Sequence, residues 1–285
     1  MQVTHTTDYF KKHIWTGFKI IGTTLIFVLI ALKVLESPIA LNEFAANGVA
    51  TTIPLVLLLS IVNWLLEAQK WRLAVPSEKL TLKDAVKIVL GGQAMNWIMP
   101  YATGDFLVRL ARVKDRYSVA KSALMIRFMS LIITISLGTV SILYFFQILD
   151  ELWSAVLFTV FSGIIISSFN FLKSLERFNF LINITVLRYF VFTCQLYLLI
   201  DLYIDLSALQ IFFGVGWIFF FKTFTPGILG KAGVREVSGI VFFENMLPQT
   251  SIIIIPCFLI WLINSVLPSL IGVLILIRSR YSLFT

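Results

Sequence analysis

The chain has 285 residues, of which 59% are hydrophobic and 13% charged, with a formal net charge of +8. Soluble domains carry about 25% charged residues, so the composition excludes a soluble globular protein and points to a single all-α polytopic membrane domain over residues 1–285. The basic excess sits in short connections, as where Lys and Arg collect on the cytoplasmic side, and no polar stretch is long enough for a nucleic-acid-binding domain.

His5, Lys11, Lys12, His13 and Lys19 form a basic, polar entry. Residues 17–35 then suffice to cross a hydrocarbon core of about 30 Å, and they read as a retained anchor rather than a cleaved signal. The next loop carries Glu36 and Glu43 without a base, which places the N-terminus in the cytoplasm. Residues 53–66 return the chain to Lys70, Arg72, Lys79, Lys83 and Lys87, with Trp64 and Trp71 suited to an interfacial aromatic belt. Residues 82–99 hold Gly91-Gly92, Asn96 and Trp97 before Pro100. A full crossing here would put Arg109, Arg112, Lys114 and Arg116 outside, so a re-entrant excursion fits the charge bias better.

The stretch 118–149 reads as a long helix containing Arg127, closed at its outer end by Asp150 and Glu151. Three apolar segments follow: 152–172 to Lys173 and Arg177, 180–203 to Asp201 and Asp205, and 208–221 to Lys222. Residues 233–246 form a short half-helix, and 252–277 end at Arg278 and Arg280, which places the C-terminus in the cytoplasm. The length rule gives roughly seven to nine membrane helices in a cell (inner) membrane, broken ones included. Arg188 reads as a snorkelling arginine, Asn264 beside Pro268 as an interhelical contact, and Cys194 and Cys257 as packing residues.

Two interruptions carry the chemistry. The stretch 223–236 places Pro226, Gly227, Gly230, Lys231, Gly233, Arg235 and Glu236 between apolar segments. Irregular backbone at membrane depth must pack in protein or line a wet cavity. Glycines let backbone N–H groups approach a ligand, helix N-termini attract phosphate, and Arg adds a two-donor fork. In the first half, Pro100, Gly104, Asp105 and Arg109 make a similar break, with acid and base at the favourable i, i+4 spacing. Paired breaks in two halves are a pointer to a transport site and to an internal repeat. The site expected from these motifs (96–116 and 222–247) uses Arg109, Arg235, Lys231, Arg127 and Asn96 for substrate. Asp105 and Glu236 would pair with the arginines, either locally or across the halves as Arg235 to Asp105 and Glu236 to Arg109.

At these motifs the chain resembles the flippase-like membrane family that includes the transmembrane region of lysylphosphatidylglycerol synthases. The family's first motif, P-x-R-x-G-E-x-x-R, would correspond to the stretch from Pro100 to Arg109, with Ala102 for the early arginine, Asp105 for glutamate and the last arginine one residue later. Its second, G-V-R-E, is matched by Gly233, Val234, Arg235 and Glu236. The resemblance implies broken helices around a central cavity and movement of a phospholipid or lipid-linked intermediate between leaflets. A small-solute or ion-coupled transporter, and a non-transporting partner of a lipid-linked glycosyltransferase, are the competing readings. The partners expected are the lipid, the membrane, and a separate lipid-modifying enzyme or a second copy of the chain. Hydrolase, metal and redox signatures are absent from the sequence, so no enzyme activity, cofactor or metal is expected.

Overall fold

The computed structural model describes residues 49–99, 103–111, 115–171, 176–225, 233–247 and 251–282, together with Val28. Apart from Val28, the expected span at 17–35 lies outside the described residues, as do Pro100, Pro226, Gly227, Gly230 and Lys231. Among the described residues the architecture is helical, without strands. In order come α1 (Val49–Ala74), α2 (Leu82–Ile98), α3 (Thr103–Ala111), α4 (Arg116–Phe145) and α5 (Glu151–Phe171). They are followed by α6 (Glu176–Ile200), α7 (Ala208–Phe224), α8 (Val234–Phe243), α9 (Ser251–Trp261) and α10 (Leu267–Ser282).

Among the described residues, four helical stretches are long and apolar enough to cross a membrane: Val49–Ala74, Arg116–Phe145, Asn179–Ile200 and Ile252–Arg278. The protein is membrane-embedded. Local signals explain where its helices begin. Thr81 Oγ1 accepts the Asp84 N–H at 3.2 Å to start α2, and Asp115 accepts the Ser118 N–H at 3.1 Å to start α4. Ser207 and Gln210 form a capping box on α7. α4 stops at Phe145, short of the expected 149, and Gln147 takes a left-handed φ of 56° in the turn that follows. The last span is interrupted by a π turn, Leu262–Val266, in which the Leu267 N–H bonds the Leu262 carbonyl. Pro268 explains it, because proline has no N–H to offer the Asn264 carbonyl one turn back.

Much of the outer surface is apolar, and beside a large apolar core the polar side chains of some helices turn inward. On α1, Leu55, Leu58, Ile61, Val62 and Leu65 are exposed, whereas Thr52, Ser60, Asn63 and Lys70 are buried. This arrangement suits hydrocarbon, where polar groups must find partners within the protein. Cys257 is buried as expected, whereas Cys194 lies on an exposed face of α6 and packs against no core.

Helix lengths recur in the two halves among the described residues. Helices α1 to α4 contain 26, 17, 9 and 30 residues. Helices α6, α7 and α8 contain 25, 17 and 10, and the 27-residue apolar span Ile252–Arg278 follows. Packing repeats as well: α2 lies on α3 and α10, while α7 lies on α8 and α4. The leading helices α1 and α6 pack on each other in antiparallel sense. Gln195 reaches Val56 and Ser60, whereas Arg188, earlier on α6, reaches Asn63 and Glu67, later on α1.

Glycines set the close approaches. A Cβ on Gly104 would overlap the Met95 carbonyl, so α3 folds back tightly on α2 only with glycine there. Gly272 likewise sits on the Leu90 carbonyl between α10 and α2. Gly272→Ala is therefore expected to destabilise the protein by about 1–3 kcal/mol, the usual range for overpacking. Gly163→Ala, with nothing within 4 Å of the added carbon, is expected to stabilise by about 0.5–1 kcal/mol through helix propensity. Unfolding of the two variants in detergent checks the contrast.

Candidate functional site

The site is assembled around Glu67, which lies on the buried face of α1. Its Oε1 accepts from Arg109 Nη2 at 3.0 Å and its Oε2 from Arg188 Nη1, while Lys70 Nζ stands 3.8 Å away. One carboxylate therefore serves three cations carried by α1, α3 and α6. Arg109 is also held by Asp105, whose Oδ1 accepts from Nε at 2.8 Å, and its guanidinium lies 4.5 Å over the Trp71 ring. Asp105 Oδ2 faces Arg127 Nη2 on α4 at 3.6 Å. Lys70, 2% exposed, donates to Ser130 Oγ at 2.9 Å.

Local structure fixes these groups. The short α3 places Asp105 in its first turn, where the helix dipole favours an acid, and Arg109 one turn on. Asn96, near the end of α2, accepts the Asp105 N–H at 2.8 Å and ties the two helices together. On the α6 side, Arg188 Nε donates to Asn63 Oδ1 at 2.8 Å. Asn63 donates to Asn264 in the π turn at 3.2 Å, and Asn264 donates to Gln195 at 3.0 Å. A polar chain thus runs from the amides of α6 and the π turn through Glu67 to Arg127.

A cavity of about 370 Å³ opens on this cluster, lined by Glu67, Lys70, Asp105, Arg109, Arg127, Ser130 and Arg188. Four cations face two carboxylates. A second cavity, about 150 Å³, shares Glu67 and Arg188 with the first and extends to Lys222, Asn264, Ser265 and Arg235. Arg235 is 5% exposed; Nη2 donates to Ser265 at 3.3 Å, and Nε and Nη1 are buried without a hydrogen-bond partner. The neighbouring Glu236, 4% exposed, has an unpartnered Oε2. The two adjacent side chains make no ion pair with each other, as expected for i, i+1 positions on a helix.

The expected site residues are distributed as follows. Arg109, Asp105 and Arg127 come together, and the i, i+4 pair forms. Arg235 belongs to the adjoining cavity, and neither cross-pair forms: Asp105 binds Arg109 and Arg127, and Arg109 binds Asp105 and Glu67. Asn96 uses its side-chain oxygen to accept the Asp105 N–H of α3. Gly104 lies in the first turn of α3 against the Met95 carbonyl, and Gly233 takes a φ of 87° just before α8. Arg188 does not snorkel; its guanidinium is drawn inward by Glu67 and Asn63. Trp71 is no belt residue, being fully buried beneath Arg109.

Glu67, Lys70, Asn63 and Gln195 escaped the motif-based expectation. The signal was present as a stripe, because Thr52, Ser60, Asn63, Glu67 and Lys70 recur three, four or eight residues apart on an otherwise apolar helix. An intramembrane ionisable group at such spacing is a functional candidate with a partner to be found. No family model, curated protein or solved structure matches the chain.

Proposed function

We propose that the chain is a lipid translocase that moves a phospholipid or lipid-linked intermediate between leaflets, with the acidic headgroup received in the charged cavity. The observation that carries this reading is the cavity itself: four cations and two carboxylates gathered among helices long and apolar enough to span a membrane. Charges held at such depth need partners and mark ion or substrate pathways. Arginine forks match phosphate oxygens in pairs, and lysine adds a point charge. In the empty site, Glu67 and Asp105 occupy those donors and keep the cations paired.

The repeated fold supports movement across the membrane. α3 and α8, at 9 and 10 residues, extend only about 14–15 Å and are too short to cross, so each hairpin re-enters. With α5 as the one additional crossing between the halves, the second half enters the membrane from the opposite side. Antiparallel packing of α1 on α6 agrees with such an inverted repeat, an arrangement that places substrate at the repeat interface and permits rocking of one half against the other.

Arg127 tests the reading, because its side chain is 40% exposed and its loss spares the buried pairs. In proteoliposomes carrying a headgroup-quenchable fluorescent lipid, Arg127→Ala is expected to slow translocation about tenfold or more, the effect of losing roughly 1.4 kcal/mol of binding in the rate-determining state. Unchanged translocation would sink the assignment. Uptake of a water-soluble solute without lipid movement would favour the solute-transporter reading instead.

A further inference from the structure

We infer that the first cavity selects a doubly negative phosphate, as in a phosphomonoester or diphosphate headgroup, over the singly charged phosphodiester of common phospholipids; this rests on the lipid reading above and narrows its substrate. Charge and donor occupancy in the cavity both favour the dianion. Among the described residues, the cations of the lining are Lys70, Arg109, Arg127 and Arg188, and its acids are Glu67 and Asp105, which leaves the described lining two positive charges in excess. Both acids are committed: Glu67 uses one oxygen on Arg109 and the other on Arg188, and Asp105 turns one to Arg109 and the other toward Arg127. Lys70 is buried, and its hydrogen bond goes to a neutral hydroxyl, Ser130 Oγ, with the Glu67 carboxylate farther off at 3.8 Å.

Excess charge of one sign is unfavourable where water is scarce, and a counter-charge of matching size relieves it. A dianion neutralises an excess of two; a phosphodiester leaves one charge uncovered. A zwitterionic headgroup would bring its own cation into a lining already rich in them. Donor number points the same way. A phosphomonoester offers three terminal oxygens to the arginine forks and Lys70, whereas a diester offers two.

The comparison that isolates this charge is phosphatidic acid against phosphatidylmethanol, which differ by one methyl group on the phosphate. Short-chain forms of each, below their micellar concentrations, would be titrated calorimetrically into the purified full-length protein in neutral detergent at about pH 7, where a phosphomonoester is largely dianionic. Phosphatidic acid is expected to bind at least about tenfold more tightly, given the strength of an added charge contact at partial burial. In Arg127→Gln, which lowers the excess to one, the preference is expected to shrink severalfold. Equal binding of the two lipids by the wild-type protein, or an undiminished preference in the variant, would overturn the inference. Inorganic phosphate is the third titrant. If it binds while neither lipid does, the lipid reading fails and the cavity is a site for free phosphate. If both lipids bind equally and translocation is still lost in Arg127→Ala, the lipid reading holds and the inference fails.

Discussion

Glu67→Ala is expected to destabilise the protein by about 3–5 kcal/mol, the usual result of stripping one partner from a buried ion pair. The value should lie at the upper end, because one carboxylate answers Arg109 and Arg188 directly and Lys70 at longer range. Its removal leaves three cations on three helices repelling one another around a cavity, with Asp105 the remaining acid of the lining. Glu67→Gln keeps the shape and loses the charge, so it should fall close to the alanine variant rather than to wild type. Adding Arg188→Met to Glu67→Ala should recover part of the loss, since residues of one network couple by about 0.5–3 kcal/mol. Chemical or thermal unfolding of wild type, Glu67→Ala, Arg188→Met and the double variant in one detergent reads the cycle, and additive losses would show that Glu67 and Arg188 do not act as a pair.

The second large effect has the opposite sign. Arg235 and Glu236 are buried side by side without pairing, two guanidinium nitrogens and one carboxylate oxygen lacking partners. Replacing both by hydrophobic residues of similar size, as Arg235→Met with Glu236→Leu, is expected to stabilise the protein by about 1–4 kcal/mol, as hydrophobic replacement of buried charges often does. On the proposed function, the same double variant should lose translocation in proteoliposomes. Higher stability with lost transport is the mark of a site kept strained for its task. A destabilised double variant would mean that the fold depends on these charges, and a stable, active one would remove Arg235 from the pathway.

Much of the fold was legible because hydrocarbon leaves few choices. Long apolar runs can only be helices, and the expected segments at 53–66, 118–149, 180–203 and 252–277 correspond to the four long spans found. The hairpin of α2 and α3 was legible from Gly91-Gly92 and from the charge bias after it, and Gly104 from its place in a break. The repeat was legible only in part. Motif matching aligned Pro100–Arg109 with the break before Arg235, whereas the stronger correspondence lies in helix lengths and in which helices pack together, quantities set by tertiary contacts.

The centre of the site was harder to read for a physical reason. Glu67 and Lys70 stand on the helix before the first break, in sequence that resembles an ordinary cytoplasmic end with several lysines. Position along the chain suggested solvent; the helical phase of Ser60, Asn63, Glu67 and Lys70 pointed to the interior. Arg188 was misread in the same way, because distance from a helix end says how far a side chain can reach and not which way its face is turned. Cross-pairing of the two motifs failed for the converse reason: Arg109 finds its second acid on α1, an element without a break.

The most direct test of the central claim is a structure of the full-length protein in a bilayer containing phosphomonoester lipid. The account calls for headgroup density in the cavity between Arg109, Arg127 and Arg188, with phosphate oxygens within hydrogen-bond distance of at least two of these guanidinium groups and of Lys70, and acyl chains leaving past the exposed side of Arg127. Lipid density confined to the outer faces of α1, α4 and α10, with the charged cavity holding only water, would contradict it.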